Sequence, residues 1–111
     1  MRPNDFDLPV ERVREAFSYS PKTGELRWAA TQKASRVKRG AIAGSLQNRG
    51  YWLIVLDGKK YLAHRLAWVH FYGEWPENFL DHKNGVRTDN RIVNLRDVPQ
   101  ELNAQNQRRP Q

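Results

Sequence analysis

The sequence predicts an α+β fold in which short helices pack against small antiparallel β-hairpins. Residues 8–17 place most of their apolar side chains on one face of an N-terminal helix, with charged residues between them. Residues 51–56 carry the strongest strand pattern, and an Asp-Gly turn leads into a return strand over residues 59–63. Residues 64–73 then change to a helical period and end in a glycine that can cap a helix.

The other elements are shorter and are predicted from turn residues and local alternation. Residues 19–28 alternate around a turn as in a small hairpin. Residues 31–50 are rich in small and basic residues without strong periodicity, so we expect a loop there. Two short strands near residues 79–83 and 94–98 could pair as a hairpin, with a helix that begins at Pro99 packed across it.

The length of 111 residues predicts one structural domain built from two parts. Residues 1–50 are expected to supply the helix, the first hairpin and a basic loop that pack on the core. Residues 51–111 are expected to form that core and to end in a basic tail.

The charge and the cysteine count narrow the class of partner. A formal net charge of +7 on so small a chain favours a polyanion as the partner, although charge can also serve solubility alone. No segment reaches the roughly 18 apolar residues of a membrane span, and residues 1–5 are not followed by an apolar signal region. Nucleic acid is therefore the expected partner. The lack of cysteine excludes disulfides, thiolate zinc sites and thiol nucleophiles.

Candidate chemistry concentrates in the last third of the chain. Asp81 and His82 follow an apolar pair at a predicted strand, and a carboxylate beside a neutral imidazole suits metal-assisted hydrolysis. Asp81 on the strand and Asn103 on the following helix could converge on one hard cation such as Mg²⁺. His82 would point to the other face of the strand and address a water molecule. The alternative is that His82 is a polar residue that closes a turn.

Four segments together carry a family resemblance. They read HRLAW at 64–68, DHKNG at 81–85, DNRIVNLR at 89–96 and ELNAQN at 101–106. Jointly they resemble the HNH endonucleases of phages and group I introns, in the homing-endonuclease branch that lacks zinc-binding cysteines. The resemblance covers roughly residues 61–107, and residues 19–28 look like the N-terminal portion of phage-encoded members. It implies the ββα-metal fold, also called the His-Me finger, in which a hairpin and a helix close around one divalent ion.

The resemblance also implies a role for each matching residue. Asp81 and Asn103 match the two metal ligands, and His82 matches the general base. Asn94 matches the asparagine whose side chain ties the loop between the strands. One Mg²⁺ or Mn²⁺ ion per site and a 5′-phosphate product are implied as well. Asn90 is interpreted as a residue that caps a turn, and it is not assigned to the metal.

Basic residues from several segments are candidates for phosphate contacts, which position a protein on DNA without reading its sequence. They are His64, Arg65, Arg87, Arg91, Arg96, Arg36, Lys38 and Arg39. Residues 36–39 could equally form a solvated face, and His64 could instead fix its helix to the hairpin.

The sequence thus predicts a divalent-metal-dependent HNH endonuclease that hydrolyses DNA phosphodiester bonds by nicking or by cutting both strands. The alternative is a DNA-binding protein on the same scaffold without catalysis. A small phage structural or adaptor protein is a third possibility. The resemblance implies a phage-encoded protein in the cytoplasm of a bacterial host cell. Neither a protein partner nor a homodimer interface can be recognised in the sequence.

Overall fold

The computed structural model describes residues 8–30, 37–47 and 49–98, and within them the chain forms two helices and three small antiparallel sheets. In chain order the elements are α1 (Val10–Ala16), β1 (Phe17–Tyr19), β2 (Leu26–Trp28), β3 (Ser45–Leu46), β4 (Trp52–Leu56), β5 (Lys59–Leu62), α2 (Ala63–Tyr72), β6 (Phe79–His82), a 3₁₀ turn (Ile92–Asn94) and β7 (Leu95–Val98). None of the helices in these ranges is both long enough and apolar enough to cross a membrane.

The sheets are β1–β2, β3–β4–β5 and β6–β7. The predicted hairpins around residues 19–28 and 51–63 are confirmed, as is the pairing of the two short strands in the last third. The prediction of a continuous loop over residues 31–50 is wrong at Ser45–Leu46, which pair with β4 as an edge strand. Both residues of this strand are exposed, so no alternation of buried and exposed side chains reveals it in the sequence.

Helix α2 is the central element of the hydrophobic core. Its side chains Leu66 and Val69 are fully buried and belong to one cluster with Val13 of α1, Phe17 of β1 and Ile54 of β4. Burial of these side chains removes apolar area from water, which is the main favourable contribution to folding. The described residues before residue 50 thus share a core with the rest of the described chain, while the division into two parts at residue 50 stays a prediction.

Gly73 ends α2 as the sequence predicts. Its φ of 79° is in the left-handed region, and its N–H donates to the carbonyl of Val69 at 2.8 Å. The chain then turns through residues 74–78 into β6. Here Asp97 of β7 accepts hydrogen bonds from the backbone N–H groups of Glu77 and Asn78 at 2.9 and 3.0 Å. These bonds fix the entry of the strand that carries the candidate site.

Three predictions lie outside the described residues. The first is the helix that begins at Pro99 and carries the proposed ligand Asn103. The second is the basic tail, and the third is the phosphate contact by Arg36. Strand β7 ends at Val98, directly before the predicted helix.

Candidate active site

Strand β6 places Asp81 and His82 on opposite faces of the β6–β7 hairpin. Their partners across the hairpin are Arg96 and Leu95. Successive side chains of a strand point to opposite sides, so one of these neighbours faces outward and the other faces inward. The Asp81 side chain is 25% exposed, whereas His82 is 8% exposed. The adjacent carboxylate and imidazole therefore lie in two different environments.

The inward-facing imidazole of His82 lies among other rings. The His64 ring of α2 meets it edge-on, with ring centroids 4.8 Å apart. The Tyr51 ring lies 6.3 Å from His82 and 5.6 Å from His64. These contacts restrict the plane of the His82 ring, because a rotation would collide with close-packed neighbours.

Asn90 makes the direct polar contact with His82. The Nε2 atom of His82 lies 2.9 Å from the Oδ1 atom of Asn90, and Asn90 is 4% exposed. An amide oxygen only accepts hydrogen bonds, so in the neutral imidazole Nε2 carries the proton and Nδ1 keeps a lone pair. The interpretation of Asn90 as a turn cap missed this contact. No local signal in the sequence could have revealed it, because the contact depends on how the loop folds back over the hairpin.

Asn94 ties together the two ends of the loop between β6 and β7. Its Oδ1 accepts the backbone N–H of Asn84 at 3.0 Å, and its Nδ2 donates to Asn84 Oδ1 at 3.0 Å and to the carbonyl of Asp89 at 2.9 Å. Its own carbonyl accepts the N–H of Lys83 at 2.8 Å. The buried Asn94 side chain therefore makes the contacts that its predicted role requires, and its importance for catalysis stays a prediction.

The carboxylate of Asp89 fixes the middle of the same loop. It accepts hydrogen bonds from Arg91 Nε and Nη2, both at 2.7 Å, and from Asn84 Nδ2 at 2.8 Å. The hydrogen bonds from Arg91, helped by that from Asn84, hold the pKa of Asp89 well below its usual range. Arg91 was predicted to contact phosphate, but here its guanidinium is largely engaged with this carboxylate.

The outward-facing carboxylate of Asp81 contacts Arg96. Their side chains lie opposite each other on paired strands, and Arg96 Nη2 donates to Asp81 Oδ2. Arg96 was predicted to contact phosphate, and here its guanidinium contacts this carboxylate, so the phosphate contact stays a prediction. The carboxylate predicted to hold a metal ion is thus ion-paired with Arg96, and its role as a metal ligand stays a prediction.

The chemistry of the Asp81 site fits an ion with few protein ligands. Asp81 supplies one partly exposed carboxylate, and no group of three or more His, Cys, Asp or Glu side chains suited to a metal occurs in residues 8–30, 37–47 and 49–98. Mg²⁺ commonly takes one or two protein carboxylates and keeps several waters. The second predicted ligand, Asn103, lies outside the described residues.

His64 and Arg65 are both interior residues, which corrects their assignment to phosphate contacts. They are 4% and 9% exposed. Burial, together with nearby His82 and Arg65, lowers the pKa of His64 to about 3, so its imidazole is neutral at neutral pH. Arg65 donates to the carbonyl of Asn78 at 3.4 Å and lies 5.7 Å from the centre of the Trp75 ring. The alternative role of His64, fixing its helix against the hairpin, agrees with these contacts.

Three of the remaining basic candidates are exposed. Arg87 lies over the Tyr51 ring, 4.7 Å from its centre, and donates to the carbonyl of Arg49. Lys38 and Arg39 are exposed. Arg36 lies outside the described residues. Phosphate contacts by these residues stay a prediction.

A hairpin with adjacent Asp and His, and a loop tied by a buried asparagine, define the class of this chain. It belongs to the HNH endonuclease family, since residues 61–105 match the family model described as HNH endonuclease. The predicted family is therefore confirmed, and nucleases of this family generally use a divalent metal ion.

Two comparisons concern one phage protein. The DNA endonuclease I-HmuI of Bacillus phage SP01 is 41% identical over 90 residues, which cover 76% of this chain and 52% of that protein. The solved structure titled "DNA binding and cleavage by the HNH homing endonuclease I-HmuI" matches with a TM-score of 0.63 and 28% identity, covering 90% of this chain and 56% of that chain. The predicted α+β fold class is confirmed by this match. The chain spans about half the length of its relative.

Proposed function

We propose that this protein is a divalent-metal-dependent DNA endonuclease in which His82 is the general base and Asp81 holds the ion. The single observation that carries the proposal is the separation of these two neighbours by the β6–β7 hairpin. Asp81 is partly exposed on one face, and His82 is buried on the other with Nε2 bonded to Asn90. A ligand and a base are thereby kept apart while they remain close in space.

His82 would act through Nδ1, the ring nitrogen that keeps a lone pair. It would accept a proton from a water molecule as the water oxygen bonds to the phosphorus of a DNA phosphodiester. The bond from phosphorus to the 3′ oxygen breaks, which leaves a 5′-phosphate. A Mg²⁺ or Mn²⁺ ion bound by Asp81 and Asn103 would supply positive charge that stabilises the charge developing on the phosphate and leaving oxygen.

The remaining residues of the site would orient the base and its loop. Asn94 would keep the loop closed through its bonds to Asn84 and Asp89. Such preorganisation lowers the barrier because the reacting groups need not reorganise during the reaction.

DNA as the substrate is supported by charge and by the relative. The net charge of +7 attracts a polyanion, and Arg87, Lys38 and Arg39 are exposed cations. The relative is a DNA endonuclease by name, and its solved structure is described as showing DNA binding and cleavage. We propose that Arg96 exchanges Asp81 for a DNA phosphate when an ion occupies the carboxylate. The expected location, the cytoplasm of a bacterial host, stays a prediction.

Nicking of supercoiled plasmid in Mg²⁺, in Mn²⁺ and with excess EDTA tests the proposal. We expect relaxed or linear product with either ion and none with EDTA, because a bound divalent ion stabilises the transition state. Asp81→Asn should raise the ion concentration needed for half-maximal nicking. Asp57→Asn is the matched control, because Asp57 is also a carboxylate paired with an arginine, but it lies in the turn between β4 and β5. Salt-sensitive DNA binding without nicking in either ion would instead support the non-catalytic alternative.

A further inference from the structure

We infer that Asn90 is a positioning residue that orients His82, and that the β1–β2 hairpin holds Asn90 in place through Tyr19. The inference deepens the proposed function and rests on it for its catalytic consequence. It concerns which ring nitrogen of His82 faces the substrate, and why the first hairpin is needed for that orientation.

The rings around His82 restrict its plane without choosing between its two nitrogens. The edge-on contact with His64 and the neighbouring Tyr51 ring are the same for an imidazole turned over by 180°. The amide oxygen of Asn90 removes this ambiguity, because it needs an N–H opposite it at 2.9 Å. Both partners are buried, so water cannot easily replace the bond.

The β1–β2 hairpin contacts the backbone around Asn90. The hydroxyl of Tyr19 donates to the carbonyl of Asn90, and the carbonyl of Pro21 accepts the N–H of Ile92 at 3.3 Å. Burial raises the pKa of Tyr19, so its hydroxyl remains a donor at neutral pH. Gly24 permits the approach, since a Cβ atom there would lie 2.5 Å from the backbone carbonyl carbon of Asn90.

The same loop is held from its other side by Asn94, which donates to the carbonyl of Asp89 at 2.9 Å. Asn90 therefore lies between two fixed points, one in the nuclease hairpin and one in the first hairpin. The first hairpin is outside residues 61–105, the part that matches the family model. The β1–β2 hairpin thus helps to position Asn90 beside His82.

The chemical consequence is that the neutral His82 ring is held in a single tautomer. With Nε2–H donated to Asn90, Nδ1 is the nitrogen able to accept a proton from water. Loss of the Asn90 oxygen would release the ring to the other tautomer or to the turned-over orientation. Either change would move the lone pair away from the direction set by the hairpin.

The test is a ¹⁵N nuclear magnetic resonance measurement of the His82 ring in the full chain without DNA or metal. The measurement is made at roughly pH 8.5, about two units above the usual histidine pKa, with His82 assigned from its absence in His82→Gln. We expect the Nε2–H tautomer in the unaltered protein. Asn90→Leu should shift His82 towards a mixture of tautomers, whereas Asn90→Asp, which keeps an oxygen acceptor, should retain Nε2–H. An Nδ1–H tautomer in the unaltered protein would overturn the inference.

Tyr19→Phe tests the role of the hairpin and guards against misfolding of the Asn90 variants. It removes one hydroxyl, and we expect a smaller tautomer shift in the same direction as for Asn90→Leu. Ser18→Ala is the control, because it removes a hydroxyl from the neighbouring, exposed position of the same strand. A Tyr19→Phe spectrum identical to that of Ser18→Ala would contradict the part assigned to the hairpin.

Cleavage kinetics separate this inference from the proposed function. Asn90→Leu should lower kcat by about 10–100-fold with little change in DNA affinity, as expected when a reacting group is misplaced. Asn90→Asp should recover part of that loss. If the unaltered protein does not cleave DNA, the proposed function fails while the spectra still decide the orientation. If cleavage occurs and Asn90→Leu matches the unaltered rate and tautomer, the inference fails alone.

Discussion

At the scale of single residues, the chemistry open to Asp81 and His82 depends on the contacts that their side chains already make. Asp81 and His82 are neighbours in sequence, but their partners belong to different parts of the molecule. Asp81 contacts Arg96 across the hairpin, and His82 contacts Asn90 in the loop. An ion and an arginine would compete for the same carboxylate, so the ion pair with Arg96 should weaken metal binding.

Arg96→Met should therefore strengthen divalent-ion binding. The substitution removes a competing partner and a positive charge from the surroundings of Asp81. Partly exposed ion pairs contribute up to about 1 kcal/mol, so we expect the Mn²⁺ dissociation constant to fall by roughly 2–5-fold. Calorimetric titration with Mn²⁺ measures it. Arg27→Met is the control, since Arg27 pairs with Glu25 away from the site. Unchanged or weaker Mn²⁺ binding by Arg96→Met would contradict the competition.

Site residues that belong to a short motif can be predicted from the sequence. Residues whose contacts depend on the tertiary fold cannot. Asp81, His82 and Asn94 are placed by the strand pattern and the family resemblance, and the described fold brings all three to one hairpin and its loop. Asn90 was missed because its contact depends on the path of the loop. The charge of Arg65 suggests that its side chain is exposed. Its contact with the Trp75 ring cannot be predicted from its position in a helix.

At the scale of elements, the loop between β6 and β7 is held by polar contacts. Its ends are tied by Asn94, its middle by Asp89, and its outer side by the first hairpin. Polar contacts of this kind depend on protonation and on close approach of backbone.

Asp89→Asn should lower thermal stability at neutral pH and lose that effect in acid. Because its folded-state pKa is depressed, Asp89 contributes stability that is present above its unfolded-state pKa of about 3.9 and is lost as pH falls through the lower folded value. The melting temperatures of Asp89→Asn and the unaltered protein should therefore converge as pH falls below about 3.9. Glu74→Gln, at an exposed position, is the control. A difference independent of pH would contradict the role of the Asp89 charge.

Gly24→Ala should destabilise the protein more than Gly58→Ala. Both glycines have a φ of 80°, so each substitution carries the same left-handed backbone strain of about 1–2 kcal/mol. A Cβ at Gly24 would also meet the backbone of Asn90 and Arg91 at 2.5 Å, whereas nothing lies within 4 Å of one at Gly58. The added overlap predicts a further loss of about 1–3 kcal/mol, measured by urea unfolding. Equal losses would show that the hairpin does not press on the Asn90 loop.

The elements themselves were largely predictable because they alternate or repeat with a clear period. Helix α2, its glycine cap and the β4–β5 hairpin follow the apolar spacing closely. Strand β3 could not be predicted, because a two-residue exposed edge strand is defined by its backbone partner in β4. Its existence depends on the neighbouring strand, which local sequence does not reveal.

At the scale of the whole molecule, the chain carries a formal net charge of +7. Binding to DNA should therefore release counterions and weaken steeply as salt rises. We propose that phosphate contacts supply most of this affinity, because they depend on charge and not on base sequence.

Arg87→Gln should reduce the salt dependence of DNA binding. If Arg87 neutralises one phosphate, the slope of log affinity against log salt should become shallower by about 0.9. Fluorescence anisotropy with a labelled duplex at several salt concentrations measures the slope. Arg12→Gln is the control, because Arg12 is bound to Asp57 and Glu15. An equal change in both variants would indicate a general charge effect and would contradict a specific phosphate contact.

The single-turnover cleavage rate of His82→Ala, measured beside its DNA affinity, tests the central claim most directly. His70→Gln is the matched control, because His70 contacts β1 and not the β6–β7 hairpin, and glutamine can still donate to the Phe17 carbonyl. With Mg²⁺ or Mn²⁺ present, we predict a rate lower by about 10²–10⁴-fold for His82→Ala, unchanged DNA affinity, and a near-normal rate for His70→Gln. Cleavage by His82→Ala at the rate of the unaltered protein would contradict the assignment of His82 as the general base.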